Sequence, residues 1–245
     1  MSATTSSKYF TQITSTHPEA HEVEISTSGC LFDLDGTLML STDCVEAFWR
    51  DFGATYDIDA EELLRTSHGR RTLDILRMWK PELANKEMSA KFEATIPQRW
   101  KHIAKPVPGV HKFLSELPAS QWGIVTSGTT VMATSWLSDF LEITPPEVFV
   151  TAEHIVEGKP HPEGYMKGHK DLDLAHHFLV FEDAPAGIRA GKDAGAFVVG
   201  MATTYGADKV KAAGADIVIP DLTHIRVKSW DAETGVLKLA VTNPL

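Results

Sequence analysis

The sequence contains few cysteines, no long apolar run and fewer basic than acidic residues, and each shortage excludes a class of protein. The two cysteines, Cys30 and Cys44, cannot form a disulfide framework and lack the spacing of metal ligands. No stretch approaches the roughly 20 consecutive apolar residues of a membrane-spanning helix. A formal net charge of −10 argues against nucleic acid or an anionic membrane as the main partner.

The first 28 residues also lack the features of a secretory signal, because no basic segment precedes an apolar one. They are rich in Ser and Thr, and we expect residues 1–28 to form a flexible tail. Without a secretory signal or a disulfide framework, the expected compartment is the cytoplasm. Because the chain is acidic overall, an anionic substrate would have to meet local positive groups or a metal ion.

The rest of the sequence alternates short apolar runs with helical stretches, which predicts an α/β fold with a doubly wound parallel sheet. Runs that are nearly continuous in apolar residues, as in strands buried on both faces, lie at residues 30–32, 122–125, 178–181, 197–199 and 217–219. Helix-like segments between these runs lie at residues 110–117, 131–140, 162–169, 186–194 and 207–213. Ligands of such sheets bind at the carboxyl ends of the strands.

One region without strand patterns interrupts this alternation. Helical patterns occur there at residues 45–52, 60–65, 72–79 and 90–100. The region ends at Pro106-Val107-Pro108-Gly109, which should break any helix. We therefore predict a Rossmann-like catalytic core of residues 29–41 and 107–245, with an inserted helical cap of residues 42–106 over the sheet's carboxyl edge. The alternative is that these helices simply extend the core.

The most informative segment is Asp33-Leu34-Asp35-Gly36-Thr37-Leu38, directly after the apolar run at residues 30–32. Two carboxylates two residues apart at the end of a strand project the same way. Like charges so close favour a cation or a shared proton between them. Gly36 lets the backbone turn sharply or approach a ligand closely. The pair suits a Mg²⁺ site with one carboxylate free to attack, although Asp-x-Asp pairs are also common in surface turns.

Three further polar segments should reach the same edge of the sheet. Thr126-Ser127-Gly128-Thr129 could bind an anion at the start of a helix, or only cap that helix. Lys159 lies between Gly158 and Pro160, which restrict its direction, and its ammonium suits a phosphate; the alternative is a lysine in a stiff loop. Glu182-Asp183 ends a buried strand, where carboxylates need a cation unless Asp183 caps the next helix.

Together these four motifs resemble those of the haloacid-dehalogenase-like hydrolase superfamily, in the same order, over about residues 29–220. The helical insert resembles the C1 cap of that superfamily. A narrower resemblance is to the fungal glycerol-3-phosphatase and 2-deoxyglucose-6-phosphate phosphatase group. It extends over residues 47–53, 67–72, 125–129, 158–163 and 180–187. Residues 47–53 are more similar to the glycerol phosphatases, and residues 215–245 to the deoxyglucose-phosphate enzymes.

The resemblance implies a Mg²⁺-dependent phosphatase that hydrolyses small polyol or sugar phosphate monoesters through an aspartyl-phosphate. Asp33 would be the nucleophile, and Asp35 the general acid and then the general base. Mg²⁺ would be held by Asp33, Asp183 and the backbone carbonyl of Asp35. Glu182 would bind the ion through water or orient Lys159. The residues that would hold the phosphoryl group are Thr126, Ser127, Gly128 and Lys159.

The cap should choose the leaving group, because the four motifs would contact only the phosphoryl end. Its most polar cluster, Ser67-His68-Gly69-Arg70-Arg71-Thr72, resembles the His-Gly-x-Arg-Thr loop of the fungal group. We predict substrate contacts from His68, Gly69 and Arg71. The alternative is a solvated helix start that is capped by its own side chains. A moving cap needs no partner subunit, so we expect a monomer.

Other functions of the same scaffold are distinguishable. A sugar phosphomutase of the β-phosphoglucomutase type would convert glucose 1-phosphate to an isomer instead of releasing inorganic phosphate. A dehalogenase would not need the acid at the position of Asp35. A binding protein on a retired enzyme scaffold should lack one of Asp33, Asp35, Lys159 and Asp183, and all four are present.

Overall fold

A computed structural model describes residues 10–13, 22–174 and 177–245 of the protein. The strands are β1 (Phe10–Ile13), β2 (Glu22–Thr27), β3 (Gly29–Phe32), β4 (Met39–Leu40), β5 (Lys105–Pro106), β6 (Trp122–Val125), β7 (Phe149–Val150), β8 (Phe178–Glu182), β9 (Phe197–Met201), β10 (Ile217–Ile219), β11 (Ile225–Asp231) and β12 (Val236–Thr242). The helices are α1 (Thr42–Tyr56), α2 (Ala60–Ser67), α3 (Thr72–Trp79), α4 (Lys86–Trp100), α5 (Val110–Glu116), α6 (Thr130–Ser135), α7 (Glu163–Asp171), α8 (Pro185–Asp193) and α9 (Ala207–Ala212).

The central element is a six-stranded sheet in the order β10-β9-β8-β3-β6-β7, in which all neighbours are parallel. This confirms the predicted α/β fold class. Every residue of β3, β6 and β8 is buried, which is why these strands are continuous apolar runs in the sequence. The two-residue edge strand β7 was not predicted, because so short a segment carries no pattern of its own.

Two layers cover the parallel sheet, one on each face. On one face, Leu31 of β3 packs in a cluster with Tyr165 of α7 and Ile188 of α8. On the other face, Phe32 of β3 belongs to a cluster with Phe113 of α5, at 6.1 Å between ring centroids. Because successive side chains of a strand point to opposite faces, β3 is anchored from both sides. The end of β3 is therefore a rigid support for the residue that follows it.

A second, antiparallel sheet has the order β1-β2-β12-β11 and was missed from the sequence. It corrects the predicted flexible tail: β2 (Glu22–Thr27) pairs with β12 along its whole length, and β1 pairs with β2. Residues 1–9 and 14–21 of that predicted tail lie outside the described residues. The signal that could have revealed β11 and β12 is the turn at Gly235, whose φ is +67°, between two stretches that contain alternating apolar residues.

The four helices α1 to α4 lie between β4 and β5, as predicted to within a few residues. Met39 of β4 pairs with Pro106 of β5, so the chain leaves and re-enters the core at one place. The helices pack around an aromatic cluster, in which the rings of Phe48 and Trp49 lie 4.9 Å apart and those of Phe52 and Phe92 lie 5.7 Å apart. Among the described residues, no helix has the length and apolar character to cross a membrane.

Candidate active site

The structure brings the four predicted motifs together at the carboxyl ends of three neighbouring strands. Asp33 follows β3, Thr126 follows β6, and Glu182 is the last residue of β8, with Asp183 next to it. Lys159 reaches them from the loop before α7. All five residues are buried. The parallel order β8-β3-β6 therefore explains why motifs far apart in the sequence share one site.

The Lys159 ammonium lies between two carboxylates. Its Nζ atom donates to Asp33 Oδ1 at 2.5 Å, to Glu182 Oε1 at 2.6 Å and to the Val125 carbonyl at 3.0 Å. Burial by itself would lower the pKa of Lys159, but the attraction of Asp33 and Glu182 outweighs it and the net shift is upward. Lys159 therefore stays charged and holds Asp33 in one position.

Each carboxylate oxygen of Glu182 accepts two hydrogen bonds. Its Oε1 atom accepts from Lys159 and, at 2.8 Å, from the Tyr165 hydroxyl. Its Oε2 atom accepts from the N–H groups of Asp183 and Ala184, both at 3.1 Å. Glu182 and Lys159 thus hold each other in one position.

The carboxylates of Asp33, Glu182 and Asp183 form a buried acidic cluster, with one oxygen of each lying within 4.8 Å of the others. Burial raises the pKa of Asp33 well above its usual range, and burial followed by Glu182 raises the pKa of Asp183 to about 7. Lys159 balances only one of these charges. Hard oxygen donors with excess negative charge suit Mg²⁺.

Gly36 is required beside this cluster. Its φ is +88°, and a Cβ atom at this position would collide with the carboxylate of Asp183. The glycine therefore lets the backbone after β3 approach Asp183 closely. The donor set and the space around it fit the predicted Mg²⁺ site.

The hydrogen-bond partner of the Asp35 side chain lies outside the acidic cluster. Its Oδ1 atom accepts from the Ser41 hydroxyl at 2.5 Å. Burial raises the pKa of Asp35, against the hydrogen bond from Ser41 and the charge of Lys159. A carboxyl group whose raised pKa favours the protonated form can act as a general acid.

These groups open into a cavity of about 60 Å³ between the parallel sheet and the helices α1 to α4. Residues from the sheet side include Asp33, Asp35, Thr126, Ser127, Gly128 and Asp183. Residues from the helical side include Val45, Trp49, His68, Gly69, Arg70 and Glu93. Most of the predicted catalytic, phosphate-binding and cap residues thus line one cavity. The exceptions are Lys159 and Glu182, which lie behind Asp33, and Arg71.

The two hydroxyl residues of the phosphate-binding segment have different partners. Thr126 Oγ1 accepts from the Gly128 N–H at 3.0 Å, which leaves its own hydrogen available to donate. Ser127 Oγ donates to the Gly69 carbonyl at 2.9 Å. Ser127 therefore connects the sheet edge to the helical region, whereas Thr126 keeps a donor at the cavity.

Arg71, which the sequence predicted as a substrate contact, does not line the cavity. Its guanidinium bonds to Asp74 at 2.7 Å and donates to the carbonyls of Ile155 and Val156. Three groups accept hydrogen bonds from the Arg71 guanidinium, and only 3% of the residue is exposed. Arg71 therefore connects the start of α3 to the loop before Lys159. The neighbouring Arg70 lines the cavity instead. The spacing of Arg71 and Asp74, three residues apart at a helix start, was the available signal.

Glu93 on α4 is a cavity residue that the sequence analysis missed. It is 2% exposed, and its Oε2 atom accepts from the Thr129 N–H at 2.5 Å. The residues of α4 that are buried are Ser89, Glu93, Ile96 and Pro97. This spacing marks one face of a helix, so a carboxylate at position 93 could have been recognised as pointing inward.

Several known proteins are similar to this chain in sequence or in fold. Residues 30–201 match the sequence model of the haloacid dehalogenase-like hydrolases. Glycerol-1-phosphate phosphohydrolase 1 of Saccharomyces cerevisiae is 41% identical over 229 residues, which cover 89% of this chain and 91% of the yeast protein. 2-Deoxyglucose-6-phosphate phosphatase 1 of the same yeast is 37% identical over 91% of this chain and 98% of its own. A hydrolase structure from Pseudomonas syringae superposes with a TM-score of 0.69 at 26% identity, covering 79% of this chain and 94% of that one.

Proposed function

The chain belongs to the haloacid dehalogenase-like hydrolase family, and on that premise we propose that it is a Mg²⁺-dependent phosphatase of small polyol or sugar phosphate monoesters. The observation that carries the proposal is the Lys159 ammonium held at 2.5 Å from Asp33, in a buried site that also contains Asp35. The yeast relatives named for glycerol 1-phosphate and 2-deoxyglucose 6-phosphate support this substrate class.

Asp33 is the nucleophile in this proposal. One of its carboxylate oxygens attacks phosphorus, the bond from phosphorus to the ester oxygen breaks, and an aspartyl-phosphate forms. Water then attacks the phosphorus of that intermediate, and inorganic phosphate leaves with Asp33 restored. The hydrogen bond from Lys159 fixes Asp33 in place, which supports an attack from a defined direction.

Asp35 supplies and then recovers one proton. It gives the proton to the departing alkoxide, and takes one from the attacking water in the second step. Its raised pKa favours the protonated form that the first step needs, and the Ser41 hydroxyl holds its side chain. A polyol or sugar alkoxide is strongly basic, so this proton transfer should supply a large part of the acceleration.

Asp33, Asp183 and the backbone carbonyl of Asp35 would hold Mg²⁺. The bound ion would neutralise charge on the phosphoryl oxygens. Both oxygens of Glu182 already accept hydrogen bonds from the protein, so its role in this proposal is to position Lys159.

The phosphoryl group is held by Thr126, Ser127 and Gly128, with Lys159 as a fixed positive charge behind Asp33. Of the two hydroxyls, that of Thr126 is the better candidate for a direct contact, since Ser127 already donates to Gly69.

The leaving group is contacted by the helical region in this proposal, with residues 42–106 as a cap over a core of residues 29–41 and 107–245. His68 and Gly69 line the cavity, and His68 Nε2 lies 3.0 Å from Glu46 Oε1. Arg70 takes the place that the sequence assigned to Arg71. All these groups come from one chain, so a monomer suffices for the proposed reaction.

Removal of the metal ion tests the proposal. We expect the purified protein to release phosphate from glycerol 3-phosphate or 2-deoxyglucose 6-phosphate in the presence of Mg²⁺. A chelator should stop this release, and added Mg²⁺ should restore it. Asp183→Asn should raise the Mg²⁺ concentration for half-maximal rate on the order of 10- to 100-fold, because it removes a charged ligand. Asp193→Asn, an exposed carboxylate ten residues further on, is the matched control and should change nothing.

Two results would contradict the proposal. One is a rate that is unaffected by the chelator. The other is conversion of glucose 1-phosphate to an isomer without release of inorganic phosphate, which would favour the phosphomutase alternative.

A further inference from the structure

Glu93 is a buried carboxylate in the wall of the catalytic cavity. It comes from α4 of the helical region, together with Trp49 and His68 from the same region. The residues proposed to bind the phosphoryl group come from the edge of the parallel sheet. Glu93 is therefore placed to contact the part of the substrate that leaves, a role that deepens the proposed function and depends on it.

Glu93 has no cationic partner among the described residues. Its hydrogen-bond donors are uncharged: the Thr129 N–H at 2.5 Å from Oε2, and the nearby hydroxyls of Thr72 and Thr129. Burial raises the pKa of Glu93 to about 7. A buried carboxylate is costly unless its lone pairs are used, and its two oxygens accept about four hydrogen bonds. At most three of these positions are used, so at least one accepting position remains next to the space for a substrate.

The chemistry that would use this capacity is a hydroxyl donor. We propose that Glu93 accepts a hydrogen bond from a hydroxyl group of the leaving group, and so selects polyol and sugar phosphates over alkyl phosphates without hydroxyls. The apolar lining residues of the helical region, Val45, Trp49 and Ile96, offer a hydroxyl no acceptor from their side chains. A hydroxyl left without a partner in such a cavity would lose the hydrogen bonds it makes to water, which disfavours its binding.

A different role for Glu93 is structural. Its bond to the Thr129 N–H joins α4 of the helical region to the start of α6, and this bond alone could account for the carboxylate. Glu93→Gln separates the two roles, because glutamine has nearly the same size and keeps an oxygen for the Thr129 N–H. It removes the charge and replaces the second accepting oxygen with an NH2 group that donates, so the bond from a substrate hydroxyl is weakened or lost.

The experiment compares kcat/KM for glycerol 3-phosphate and for propyl phosphate, which has the same three carbons without hydroxyls. We expect Glu93→Gln to lower kcat/KM for glycerol 3-phosphate about tenfold, because both the charge and one accepting oxygen are lost. The value for propyl phosphate should stay within about twofold, because it offers no hydroxyl to recognise. Glu87→Gln, an exposed carboxylate on the same helix, is the control and should change neither value.

A second variant, Glu93→Leu, removes the acceptor altogether. It should lower the preference for glycerol 3-phosphate over propyl phosphate further than Glu93→Gln does, and this ratio is independent of how much folded enzyme the sample contains. Equal losses on both substrates in both variants would overturn the inference and assign Glu93 to the structural role. If the wild-type protein hydrolyses neither ester nor any sugar phosphate, the proposed function itself fails, and this inference fails with it.

Discussion

Asp33→Asn should abolish turnover. We expect kcat for phosphate release to fall on the order of 10⁴- to 10⁶-fold, because an amide cannot attack phosphorus and no second nucleophile replaces it. The KM should change much less, since the groups proposed to hold the phosphoryl oxygens remain in place. The measurement is steady-state release of inorganic phosphate from glycerol 3-phosphate with saturating Mg²⁺.

The same variant should keep its fold. The backbone N–H of residue 33 still donates to the Phe181 carbonyl at 3.0 Å, and Lys159 keeps Glu182 and the Val125 carbonyl as acceptors. The asparagine oxygen can also accept from Lys159, so the thermal midpoint should move by a few degrees at most. Asp43→Asn, an exposed carboxylate at the start of α1, is the matched control and should retain full activity. Substantial residual activity in a folded Asp33→Asn protein would reject Asp33 as the nucleophile.

Lys159→Met should damage both stability and catalysis. Methionine fills a similar volume but leaves Asp33 and Glu182 as buried carboxylates without their cation. Breaking a buried ion pair by removing one partner costs about 3–5 kcal/mol of the free energy of unfolding. The loss of the fixed charge beside the phosphoryl group should lower kcat/KM by about 10²- to 10³-fold. Denaturant unfolding and phosphate release, measured on the same preparation, give the two effects.

Lys192→Met provides the comparison for a surface ion pair. Lys192 Nζ lies 2.7 Å from Asp216 Oδ2, with 36% of the lysine side chain exposed, so its removal should cost no more than about 1 kcal/mol and leave the activity unchanged. Equal unfolding free energies for the two variants would show that the Lys159 pairs contribute little to the fold. Full activity in Lys159→Met would remove Lys159 from the proposed site.

The parallel sheet and the grouping of the motifs could be predicted because each depends on a local signal. Strands buried on both faces are continuous apolar runs, and Asp33, Thr126 and Glu182 each lie at the end of such a run. The order of parallel strands then brings these ends together without any knowledge of side-chain contacts. The strand β11 is largely exposed and the buried run of β12 is interrupted by the exposed Lys238, so both carry a weaker signal. The strand β2 lies in a stretch whose upstream composition suggested a flexible tail.

The contacts of the helical region could not be predicted in the same way. Arg70 and Arg71 are adjacent and chemically identical, and their side-chain directions depend on acceptors far away in the sequence, such as the carbonyls of Ile155 and Val156. Glu93 likewise depends on Thr129, which is 36 residues away. The sheet determines the position of a residue at a strand end. The positions of Arg70, Arg71 and Glu93 depend instead on how the helices pack on the sheet.

A covalent phosphate on Asp33 is the most direct consequence of the proposed mechanism. The measurement is rapid acid quenching of the wild-type enzyme during turnover of a phosphorus-labelled substrate, followed by peptide mapping, with Asp33→Asn in parallel. We expect a hydroxylamine-sensitive label on the peptide that contains Asp33, and no label on the variant. Phosphate release at full rate with no label on that peptide, or with the label on a different residue, would contradict this mechanism.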